Sequence, residues 1–122
     1  GCQYCMAHTA AGSQLHGVSP ERLDALWTFE TSALFTPAEK VALELALAAG
    51  QVPNAASDAL FDRLRQHWRE EQILEIVGVI SLFGFLNRWN DTLATSLEAH
   101  PTAAAQRHLA PHGWTPGKHK SP

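Results

Sequence analysis

Cysteine is scarce in this chain: two residues in 122, Cys2 and Cys5, both inside the first five positions. A disulfide framework needs more, and such a pair in a small domain points to redox or metal chemistry. Charge is also sparse, at 17% of residues with a net of -3, and the pI near 6.1 leaves no basic footprint for nucleic acid. Long apolar runs are missing too, so neither a membrane span nor a secretory signal is expected, and a cytoplasmic location follows. Methionine occurs once and not at the start. A chain opening Gly1-Cys2 is therefore read as processed or as a piece of something longer, lacking its N-terminal helices. The length suits a single domain over residues 1–122 with its own core.

What is present reads as helix almost throughout. The first helix runs from about Cys2 to Gln14 and stops at Gly17. Ser19-Pro20-Glu21 supplies an N-cap, a proline at the first helical position and an acidic first turn, opening a short helix that ends near Phe29. Thr36-Pro37-Ala38-Glu39 has the spacing of a capping box for a third helix, Pro37 to Ala49. Ser57 caps a fourth, with Leu60, Phe61, Leu64 and Trp68 facing inward. From Glu70 to about Leu97 the fifth is apolar nearly all round, which predicts a buried core helix, with Gly78, Ser81 and Gly84 admitting neighbours to its backbone. Prolines and glycines beyond Glu98 predict an irregular tail over residues 99–122. The fold class is all-α.

Cys2-Gln3-Tyr4-Cys5-Met6-Ala7-His8 carries the chemistry. On a helix, Cys5 neighbours Cys2 and His8 neighbours Cys5, since residues three apart share a face. The unpaired N–H groups and macrodipole of a helix start stabilise an anion, so one thiol can ionise near neutral pH. A dithiol with a thiolate and a base has what thiol–disulfide or peroxide chemistry needs. Haem attachment is excluded, because Met6 stands where a histidine is required. Zinc could draw on Cys2, Cys5 and His8, with His16 as a distant fourth ligand, but a second cysteine pair is missing. The bland alternative is two inert core thiols. Elsewhere, Asn87, Arg88, Asn90 and Asp91 are expected to lock helix ends or subunits together. His67, His100, His108, His112 and His119 are expected in solvent. Trp27, Trp68 and Trp89 read as packing residues, and Trp114 as an anchor of the tail to a partner subunit.

The motif Cys2-Gln3-Tyr4-Cys5-Met6-Ala7-His8-Thr9 resembles the signature of the carboxymuconolactone decarboxylase/alkylhydroperoxidase AhpD-like superfamily. The likeness continues through Phe35-Thr36-Pro37-Ala38-Glu39 and from Ile73 to Asp91. The closing Gly113-Trp114-Thr115-Pro116-Gly117-Lys118-His119 resembles tails in one uncharacterised branch. The resemblance implies an all-α homo-oligomer that reduces a peroxide or disulfide without a bound cofactor, reset by a dithiol donor such as a lipoyl or thioredoxin-like protein. By motif position it makes Cys5 peroxidatic, Cys2 resolving and His8 part of the proton relay. Two departures stand out: Thr9 occupies the family's usual histidine position, and no acidic residue precedes the pair. Another subunit, Glu30, Glu75 or a missing N-terminal portion would have to supply that carboxylate. Three alternatives stay open: a non-catalytic oligomeric scaffold, a zinc-binding module, and a lactone decarboxylase independent of both cysteines.

Overall fold

A computed structural model describes residues 1–120, all helix and connection with no strand among them. Six α-helices follow in order: α1 (Gln3–Leu15), α2 (Pro20–Asp24), α3 (Pro37–Ala49), α4 (Asp58–Arg65), α5 (Glu70–Leu93) and α6 (Ala99–His108). Their starts obey local chemistry. Ser19, Thr36 and Ser57 each accept the backbone N–H three residues on, and Glu39 returns the bond to Thr36, completing the capping box. Among these helices, α1 alone is capped by sulfur: Cys2 Sγ accepts the Cys5 N–H at 3.2 Å.

Length alone points to one domain; the described chain forms two compact units, Thr28–Gly84 and Gly1–Trp27 with the segment from Phe85 onward. In the first, Val41 and Leu45 of α3 meet Leu60 and Leu64 of α4 and Ile73 of α5. Each pair is spaced i, i+4, the spacing that puts apolar side chains on one helix face. Trp68 closes this cluster and donates its indole N–H to the Ala38 carbonyl at 2.9 Å.

In the second unit α1 packs on α6 through small residues, Ala7 and Ala10 against Ala105, with Leu23, Leu97, Leu109 and Trp114 around them. Trp114 is 5% exposed and donates to the Gln3 carbonyl at 3.1 Å, so the anchor expected to reach a partner subunit binds its own chain.

Three expectations are corrected. Residues 99–108 of the expected irregular tail are α6, and short 3-10 turns follow at Ala110–His112 and Gly117–His119; Ser121 and Pro122 lie outside the described residues. Pro101 is no obstacle, because it falls in the first turn, where its missing N–H has no helical partner to lose. Second, α5 is not buried all round. Ile73 is its one buried residue, while Leu74, Val79, Leu82, Phe85, Trp89 and Leu93 are each more than half exposed. An apolar circumference is covered only where other helices pack on it, and a Cβ at Gly78 would meet nothing within 4 Å. Third, α5 ends at Leu93 rather than near Leu97. Ala94 adopts a left-handed φ of 50°, with Ala94 N–H on the Asp91 carbonyl and Thr95 N–H on that of Asn90. That is the double bond of a Schellman stop, with alanine where glycine is favoured.

Leu64 is wholly buried and Leu47 is 60% exposed. Chemical denaturation should show Leu64→Ala costing about 2–5 kcal/mol and Leu47→Ala within about 0.5 kcal/mol. Ala94→Gly should raise stability by about 1 kcal/mol, by relieving the Cβ clash of the left-handed conformation.

Candidate active site

The two thiols sit at the start of α1 and both are free and buried. Cys2 caps the helix, so its sulfur lies where backbone N–H groups converge. That position favours negative charge. Cys5 is one turn on, 7% exposed, with its thiol in hydrogen-bond reach of the Cys2 sulfur and Asn90 Nδ2 at 3.9 Å from its own. Burial pushes the Cys5 thiol up from 9.0 to about 12, the bond to Cys2 and the charge there add to this, and Asn90 pulls the other way. Desolvation thus disfavours the thiolate at Cys5.

His8 lies on the same turn of helix and reaches a partner far away in sequence. Its Nε2 is 2.8 Å from Glu98 Oε2 at the N-cap of α6. The Glu98 carboxyl is held below its usual range by its own backbone N–H and then by His8. Tyr4 stacks on His8 with ring centroids 4.2 Å apart, and burial, followed by the charge of Glu98, raises its phenol. Glu98 is thus the carboxylate beside the motif histidine, a residue not among the expected sources, which are another subunit, Glu30, Glu75 or a missing N-terminal portion. No local signal marks it, since 90 positions separate it from His8.

The end of α5 supplies the other side. Asn90 donates to the Leu86 carbonyl and accepts from Thr95 Oγ1 at 3.0 Å, which fixes the amide that faces Cys5. Asp91 receives Lys118 Nζ at 2.8 Å on one oxygen and lies 3.4 Å from His119 Nε2 with the other. Those contacts, Lys118 first, hold its carboxyl below the ordinary range. Of the polar cluster expected to lock helix ends, Asn90 and Asp91 make such bonds, while Asn87 and Arg88 line the cleft over Cys2. His119 and His108, expected in solvent, are 1% and 2% exposed. His119 Nδ1 bonds the Thr95 carbonyl at 2.9 Å, while His108 bridges Asp24 and Gln14, each at 2.8 Å. Spacing could not reveal them, because their partners come from other helices. Trp27 and Trp89 are 47% and 57% exposed, less packed than expected. A cleft of about 280 Å³ opens over Cys2, lined also by Gly1, Asn87, Arg88, Asp91 and Thr92; Cys5 does not line it.

No family model matches the chain. Two curated relatives do, both uncharacterised: YdfG of Bacillus subtilis, 30% identical over 91 residues, and YnjA of Escherichia coli, 30% over 92. The matches cover 74% and 75% of this chain but only 60% and 50% of the relatives, so the chain spans between half and three fifths of their length. Among solved structures, it is similar to a cysteine-to-alanine variant of the debrominase Bmp8 in complex with 2,3,4-tribromopyrrole. The TM-score is 0.81 at 32% identity, over 86% of this chain and 56% of that one. The apo debrominase gives 0.71 at 29% identity, over 87% and 63%. No helix of the described residues is long and apolar enough to cross a membrane.

The raised Cys5 thiol sets a pH dependence. Below the unfolded value both states hold its proton. Above it, the unfolded chain releases that proton first, so stability falls as pH rises from 9.0 toward about 12. Denaturation between about pH 8 and pH 11 should show this fall, and Cys5→Ser should flatten it.

Proposed function

We propose that this chain is an AhpD-like thiol oxidoreductase, in which Cys2 attacks an electrophilic substrate and Cys5 then closes a disulfide with it. One observation carries the reading: the Cys5 backbone N–H bonds the sulfur of Cys2, which caps α1 and lines the cleft, with the Cys5 thiol one turn on. The assignment reverses the roles expected from motif position, because Cys2 lines the cleft and Cys5 does not, and burial disfavours the Cys5 thiolate.

With a hydroperoxide, the Cys2 thiolate takes the terminal oxygen as the O–O bond breaks, and the alkoxide leaves with a proton to become an alcohol. The Cys5 sulfur then displaces hydroxide from the Cys2 sulfenic acid, its own proton completing a molecule of water. The two electrons come from the thiols, and an external dithiol, of lipoyl or thioredoxin-like type, returns them. His8, paired with Glu98 and stacked on Tyr4, is the group placed to move protons beside Cys5. A reducing compartment such as the cytoplasm suits a pair that must start as free thiols. Assembly into a homo-oligomer belongs to the same reading.

A second substrate class has its own support in the likeness to a debrominase. There the Cys2 thiolate would take bromine as a bromide on sulfur, the pyrrole carbon would gain a proton, and Cys5 would displace bromide ion to form the same disulfide. Both routes consume two thiols per turnover.

Thiol titration before and after one equivalent of hydroperoxide, or of 2,3,4-tribromopyrrole, separates them. The expected result is loss of both thiols with one of the two substrates. Cys2→Ser should be inert, and Cys5→Ser should stop at a Cys2 sulfenic acid or release substrate-derived product only once. Survival of both thiols with both substrates would sink the reading and leave a scaffold. Lactone decarboxylation surviving in the double Cys→Ser chain would replace it with the lyase.

A further inference from the structure

We propose that Cys2, Asp91 and His119 form a zinc site, with the fourth position open to the cleft over Cys2. The three side chains come from the cap of α1, the last turn of α5 and the turn at Gly117–His119, and their sulfur, oxygen and nitrogen lie within 4.8 Å of one another. Sulfur, imidazole and carboxylate are the donors zinc takes, and three protein ligands with an open fourth position is a common zinc geometry. Bonds of about 2.0–2.3 Å place tetrahedral neighbours about 3.3–3.7 Å apart. His119 Nε2 and Asp91 Oδ1 are 3.4 Å apart.

The Thr95 carbonyl accepts from His119 Nδ1, which turns Nε2 toward Asp91 and the shared space beside Cys2. Each ligand is held from behind, as metal ligands commonly are. Thr95 holds His119, Lys118 occupies the outer oxygen of Asp91, and the Cys5 N–H holds the Cys2 sulfur. His119 and Cys2 are 1% and 3% exposed, whereas Asp91 is partly open to the cleft, which gives a path of entry. This set differs from the Cys2, Cys5 and His8 combination that spacing suggests.

Zinc binding would release the Cys2 thiol proton to solvent and hold the sulfur as thiolate. The same sulfur cannot also join Cys5 in a disulfide, so metal and disulfide exclude one another. That consequence rests on the dithiol reading; the site itself does not.

The full reduced chain, stripped with a chelator and desalted, is titrated with zinc chloride and bound metal is counted after gel filtration. One zinc per chain is expected, with affinity falling about 10-fold or more in Asp91→Asn, His119→Gln and Cys2→Ser and unchanged in Cys5→Ser and His8→Gln. Cobalt(II) in place of zinc should give a thiolate-to-metal charge-transfer band that Cys2→Ser abolishes. Asp91 is partly exposed, so Asp91→Asn serves if the buried His119→Gln fails to fold. Oxidation with hydrogen peroxide should expel the zinc. A wild-type chain that retains no zinc overturns the proposal. So does binding that survives Asp91→Asn and is lost in His8→Gln or Cys5→Ser. Zinc bound by a chain whose thiols ignore peroxide and bromopyrrole would uphold this site while removing the dithiol reading.

Discussion

The packing of α1 on α6 is the contact on which the candidate site depends. It is made by alanines: Ala7, Ala10 and Ala105 are each at most 2% exposed. Side chains of one carbon let two helices approach closely, and an interior packed to crystal density leaves no room for a larger group there. Residue 8 thereby meets residue 98, and the Trp114 indole reaches the backbone at Gln3. Two ends of the chain, separated by most of its length, become the walls of one small polar region.

The second constraint is how α5 stops. A left-handed Ala94 reverses the backbone within one residue, so that the carbonyl of Thr95 turns to His119 and its hydroxyl to Asn90. The turn aims that carbonyl at Nδ1 of a buried histidine and so orients its ring. Asn90 and Asp91, adjacent in the same last turn, then address different sulfurs: the amide faces Cys5, and the carboxylate lies near Cys2.

Surroundings differentiate the two thiols, although both are buried and they lie three residues apart. Cys5 lies within the first turn, where desolvation disfavours its charged form. Cys2 occupies the cap, with a backbone N–H on its sulfur and a cleft beside it. Their chemical inequality comes from position relative to the helix end. The motif contains both residues but does not rank them.

Much of the fold was legible because helix starts are written in a few adjacent residues. Ser19, Thr36 and Ser57 cap where the spacing predicts, α3 spans the expected residues, and the pair with His8 opens α1, since these bonds close within three or four positions. The sequence by itself determined the helices, their caps and the identity of the thiols. Only the tertiary structure decided that residues 99–108 are helix despite Pro101, that much of α5 is exposed, that Glu98 partners His8, and that His119 and Asp91 converge on Cys2. The reason is physical. A cap or a helical face is a property of neighbours in the chain, whereas burial, protonation and convergent side chains depend on which distant segments pack together.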